Sequence, residues 1–200
     1  MIAQDFPVSA GGHVEYVWRM TIEPETKSWT WVLERECEEC GFDTRAFAAE
    51  EIAGRLRDAA APWPGFLADP KAGVRPQEDT WSALEYACHV RDVYRMGSYR
   101  LGRMLAEDDP RFANWDQDEA AVAQRYDLHD PGQVNDELTT VAATLAEMYD
   151  TVQADQWQRL GTRSDGSPFT IDSFGRYVLH DLVHHLVDVR QGYELFHGAP

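Results

Sequence analysis

The stretch Tyr177-Val178-Leu179-His180-Asp181-Leu182-Val183-His184-His185-Leu186-Val187-Asp188-Val189 limits what this chain can fold into more than any other. Its apolar residues suit a helix packed in a core, and three imidazoles must be accommodated along with them. His180 and His184 are four residues apart, so on a helix they lie one turn above the other on one face. That spacing lets two imidazoles bind one metal ion. His185 is rotated about 100° from His184 and is expected to leave that face. Asp181 likewise points elsewhere on the helix. Two buried histidines need partners, which the rest of the chain has to supply.

A second helix is well marked at its start. In Trp81-Ser82-Ala83-Leu84-Glu85-Tyr86, Ser82 and Glu85 make a capping box, with Trp81 and Tyr86 at the two staple positions. It is expected to run to about Leu105, with His89 about two turns from its start on a face shared with Glu85, Asp92 and Val93. Asp130-Pro131 opens a third helix, striped by Val134, Leu138, Val141, Leu145, Met148 and Val152. Asp43 or Thr44 caps another, running to about Ala61 and ended by Pro62 and Pro64. A short helix is expected within Asp116 to Tyr126. A turn at Arg163 to Ser167 joins two short strands before the last helix, which Thr170 or Asp172 opens and which ends near Gly192. Four long helices, with no repeat and no strand–helix alternation, predict an all-α four-helix bundle. Such bundles build metal sites from side chains on facing helices. His89 is thereby expected to join His180 and His184, with Asp92 and Asp188 accepting the free imidazole N–H groups. Three neutral imidazoles suit Zn²⁺ or Ni²⁺ and leave a position open.

Residues 1–43 read as an extension to a bundle domain of residues 44–200. Trp18, Trp29 and Trp31 suggest a strap packed on the body, with a short strand around Thr30 to Glu34. In Cys37-Glu38-Glu39-Cys40-Gly41, the spacing is that of half a zinc ribbon, but the other half is missing because Cys88 stands alone. A redox dithiol and a surface turn with two adjacent thiols are the other readings. His13, His129 and His197 are assigned nothing. The net charge of −17, from 35 acids against 18 Lys and Arg, disfavours nucleic acid and anionic membranes. No apolar run reaches the roughly 20 residues of a membrane span, and no signal peptide is recognised. The expectation is a soluble cytoplasmic protein, with a homodimer through the bundle faces compatible with it.

Two stretches resemble a known family: Trp81 to Val93, with His89 inside it, and Gly175 to Val189, with His180 and His184. Over about residues 44–195 the chain is similar to the DinB-like superfamily of four-helix-bundle metalloproteins. The stretch from Trp29 to Asp43 resembles an actinobacterial subgroup. The family pattern of one histidine on the second helix and a His-x-x-x-His pair on the fourth implies His89, His180 and His184 as ligands. The family includes transferases and isomerases that use low-molecular-weight thiols such as mycothiol or bacillithiol. The resemblance implies a metal-activated thiol attacking an electrophile, with no nucleophile supplied by the protein. Two further readings stand beside it. One is a hydrolase using His180-Asp181-x-x-His184, in which Asp181 would be the base. The other is a metal-binding stress-response bundle without turnover.

Overall fold

The computed structural model describes residues 29–197, so the expectations for the stretch before Trp29, including Trp18, lie outside the described residues. The elements are α1 (Ile52–Ala60), α2 (Trp63–Leu67), α3 (Ala83–Ala106), β1 (Arg111–Phe112), α4 (Gln117–Ala123), α5 (Pro131–Asp150), β2 (Leu160–Arg163), β3 (Pro168–Thr170) and α6 (Ile171–His197). α1 and α3 each pack against both α5 and α6, which makes the four-helix bundle and sets α1 and α3 on one diagonal.

The starts of the long helices follow from their caps. Ser82 Oγ accepts from the Glu85 backbone N–H at 3.2 Å, and the Glu85 carboxylate accepts from the Ser82 N–H at 2.9 Å. The Trp81 and Tyr86 rings meet edge to face, with centroids 5.4 Å apart. Asp130 caps α5 through Gln133 N–H at 2.8 Å, with Pro131 at the first helical position. Ser82→Ala is expected to lower stability by about 1 kcal/mol, seen as a lower urea midpoint at unchanged slope.

Some local expectations are corrected. Residues Trp29–Leu33 form a 3₁₀ turn rather than a strand. Two residues of that turn, Trp29 and Trp31, stack with ring centroids 5.6 Å apart. Neither Asp43 nor Thr44 caps a helix. Thr44 Oγ1 instead donates to Val32 O at 2.5 Å, and helix begins only after the 3₁₀ turn Ala49–Glu51. Pro62 ends α1 but also leads directly into α2. β2 and β3 form the expected hairpin, and β1 adds to it in parallel. Gly161 in β2 has to be glycine, because a Cβ there would lie 2.6 Å from the Phe112 ring and 2.8 Å from Met104.

The apolar core runs through the bundle from Leu56 and Trp63 to Leu101, Leu138, Leu145 and Leu182. On α6 its stripe is Val178, Leu182, Leu186 and Val189. At about 100° per residue, that stripe turns Asp181, His185 and Asp188 toward one flank. The same rotation carries His180 and His184 to the side away from the core.

Candidate metal centre

On α6 the flank carrying Asp181 and His185 meets His89 of α3, which is fully buried. Asp181 Oδ1 lies 3.3 Å from His89 Nε2 and 3.2 Å from His185 Nε2. Two ligand atoms about 2.0–2.1 Å from a shared ion, at the tetrahedral angle, are themselves about 3.3 Å apart. The donor set of two imidazole nitrogens and one carboxylate oxygen therefore fits a divalent ion. His185 Nδ1 is 2.9 Å from Asp188 Oδ2, so the imidazole donates there and presents Nε2 to the group. The His89 ring is stacked on Trp115 at 5.5 Å and meets the edge of His185 at 4.7 Å.

The electrostatics follow this geometry. Burial pushes His89 below the usual imidazole range, against the pull of Asp181. Burial also acts to lower His185, but its hydrogen bonds to Asp181 and Asp188 outweigh that and hold it up at about 9. Burial would raise Asp181, yet hydrogen bonds from His185 and His89 keep it well below the usual carboxylate range.

A second group of ligand-type side chains lies on the other side of α6. Cys37, Cys40, His180 and His184 have ligand atoms that all lie within 4.8 Å of one another. His184 Nδ1 is 3.8 Å from Cys37 Sγ. Trp29 covers both imidazoles, at 5.4 Å from His180 and 5.2 Å from His184. Burial lowers His180 to about 4, helped by the neighbouring His184.

The structure thus pairs the expected site residues differently. His180 and His184 do lie together, with ring centroids 5.3 Å apart, but their partners are Cys37 and Cys40. His89 is grouped instead with Asp181 and His185, because the apolar stripe of α6 turns that pair, not His180 and His184, toward α3. Asp188 does accept from an imidazole, that of His185, and lies 3.8 Å from His184 Nε2. Asp92 is engaged elsewhere, by Arg91 at 2.9 Å, Arg95 at 3.0 Å and the Tyr126 hydroxyl at 2.6 Å. The Cys-x-x-Cys segment is a turn with Glu38, Glu39 and Gly41 exposed, from which Cys37 is buried and Cys40 partly buried.

Both groups border a cavity of about 270 Å³ whose walls include Trp29, Trp81, Tyr86, Glu39, Asp79 and Asp118. A smaller cavity of about 100 Å³ shares Gln117, Tyr177 and Asp181 with it and is lined by Arg100 and Arg163. Arg163 is paired with Asp165 at 2.6 Å. Arg100 is 9% exposed; it donates to Ala113 O at 3.0 Å, and its Nε has no hydrogen-bond partner among the described residues. Sequence reading did not single out Arg100, since nothing in its helical pattern separates it from a surface arginine.

The DinB superfamily model matches residues 48–188. The chain belongs to the DinB superfamily. This DinB chain is also similar to a solved structure described as YfiT from Bacillus subtilis, a probable metal-dependent hydrolase with an unusual four-helix bundle topology. The TM-score is 0.60 at 18% identity, covering 74% of this chain and 83% of that one. At that identity the likeness is one of fold. No curated protein matches the chain. The DinB match contains His89, Asp181 and His185, whereas Cys37 and Cys40 precede it. No helix among the described residues is long and apolar enough to cross a membrane.

Proposed function

We propose that His89, Asp181 and His185 hold a divalent ion, zinc or nickel, with which this DinB protein transfers a low-molecular-weight thiol to an electrophilic carbon. The observation that carries the reading is the convergence of two imidazole Nε2 atoms on Asp181 Oδ1 beside the cavity. Two imidazoles and a carboxylate leave coordination positions for a substrate. When bound, such an ion lowers the pKa of a ligating thiol, so the nucleophilic thiolate is present at neutral pH.

The chain's own residues orient and select. Asp188 fixes the His185 ring. Trp29, Trp81 and Tyr86 offer aromatic faces, and Glu39, Asp79 and Asp118 offer hydroxyl acceptors. That lining suits a neutral, polyhydroxylated thiol such as mycothiol, and it repels glutathione, which carries net negative charge. Arg100, facing the adjoining cavity, suits a carboxylate on the electrophile. In the reaction the thiol proton goes to solvent, the sulfur lone pair forms a C–S bond, and the leaving group departs with the bonding pair. The reading places the protein in the cytoplasm, where such thiols are pooled.

Hydrolysis is the second reading, favoured by the description of YfiT as a probable metal-dependent hydrolase. In its His-Asp-x-x-His form it loses its base, because Asp181 is engaged by two imidazoles.

The test follows thiol loss with mycothiol, bacillithiol, glutathione or cysteine, using chloroacetate or chloroacetamide as electrophile. Metal-dependent loss is expected, fastest with mycothiol and faster with chloroacetate, and the preference for the acid should vanish in Arg100→Met. Metal-independent rates with every thiol would leave a binding protein without turnover. Ester cleavage without added thiol would establish the hydrolase.

A further inference from the structure

The Cys37–Cys40 segment and the outer face of α6 form a group that the thiol-transfer reading does not use. Two thiols and two imidazoles are the side-chain set of a closed, four-coordinate zinc site. Their ligand atoms all lie within 4.8 Å of one another. The 3.8 Å from His184 Nδ1 to Cys37 Sγ is close to the roughly 3.6 Å separating sulfur and nitrogen ligands on one tetrahedral zinc.

The backbone is arranged as a turn that presents both thiols to the same side. The Gly41 N–H donates to Cys37 O at 2.8 Å and the Cys37 N–H to Phe42 O at 3.1 Å. Gly41 sits at φ +71°, a left-handed conformation that a side chain would strain. His180 supplies an independent observation. It is 3% exposed, and its Nε2 has no hydrogen-bond partner among the described residues, a costly arrangement unless something ligates it. On the outer side, Glu39 Oε2 lies 3.5 Å and Asp188 Oδ1 3.8 Å from His184 Nε2. Carboxylates there favour Nδ1 as the ligating nitrogen.

We propose that Cys37, Cys40, His180 and His184 bind a second, structural zinc ion that staples the segment around Trp29 to Thr44 onto α6. The missing half of the Cys-x-x-Cys ribbon is a His-x-x-x-His pair on a helix more than a hundred residues later. With four protein ligands the site is closed, in contrast to the open three-ligand group on the inner flank. Uptake releases the two thiol protons to solvent. The staple also builds the active cavity, since Trp29 and Glu39 belong to both the stapled segment and the cavity wall. None of this depends on whether the inner site transfers thiols.

The test measures zinc per full-length chain and the spectrum of the cobalt-substituted protein. Wild type is expected to bind two equivalents and to show a thiolate-to-cobalt charge-transfer band. Cys37→Ser should lose one equivalent and the band, while His185→Ala should lose one equivalent and keep the band. Zinc content in Cys37→Ser equal to wild type, or a cobalt protein without the band, would overturn the proposal. Alkylation of wild type covers the event that Cys37→Ser does not fold. Partly exposed Cys40 should react at least tenfold faster once a chelator is added, and an unchanged rate would contradict the staple.

Discussion

Replacing Asp181 by alanine is expected to lower metal-dependent kcat/KM by at least about 100-fold and to remove the inner metal equivalent. Asp181 Oδ1 is the one anionic oxygen set between His89 and His185, at 3.3 and 3.2 Å from their Nε2 atoms. Without it, two imidazoles must hold a divalent ion with no first-sphere charge to offset it. Residues that only orient a ligand typically cost 10–100-fold when lost, and a ligand should cost more. Asp181→Asn keeps the shape and one acceptor oxygen but not the charge, so it should fall between wild type and alanine. The outer zinc should be unaffected by either change, since Asp181 is not part of that group. Wild-type turnover in Asp181→Ala would remove the carboxylate from the site.

The largest effect on stability is expected at Trp63. It opens α2, which packs against α3 and α5; it is fully buried and packs edge to face on Phe66, with centroids 5.8 Å apart. Trp63→Ala deletes the whole indole from a packed interior and should cost about 3–5 kcal/mol, a large part of the roughly 5–15 kcal/mol that holds a domain folded. The indole Nε1–H has no hydrogen-bond partner among the described residues. Leaving a buried donor unmet costs about 1–3 kcal/mol, so Trp63→Phe removes that penalty along with less volume and should cost clearly less than alanine. Equilibrium urea unfolding of both variants checks the order. Equal losses would contradict both the volume argument and the relief of an unmet indole N–H.

The capping residues made α3 and α5 legible in advance, because Ser82, Glu85, Asp130 and Pro131 act locally, within one turn of the chain. The start of the last helix was legible for the same reason, through Thr170, as was the hairpin before it, whereas its end was not: the helix runs past Gly192 to His197. The pairing of the histidines was harder. His180/His184 and Asp181/His185 have the same four-residue spacing, so spacing alone cannot say which pair faces α3. What decides is the rotation of α6, and that signal was present in Val178, Leu182, Leu186 and Val189, whose stripe points the second pair inward. Cys37 and Cys40 were recognisable as half a ligand set. Their partners were not, because nothing local to the turn records that a helix far along the chain will lie beneath it. Thr44 escaped for a similar reason: its hydroxyl would cap a helix in isolation, and the carbonyl of Val32, brought close by the strap, takes it instead.

The most direct measurement is anomalous X-ray diffraction from crystals of the metal-loaded protein. An ion bonded to His89 Nε2, His185 Nε2 and Asp181, at about 2.0–2.2 Å from each, is the result expected for the inner site. An ion held jointly by His89, His180 and His184, or an inner site in which Asp181 makes no metal contact, would contradict it.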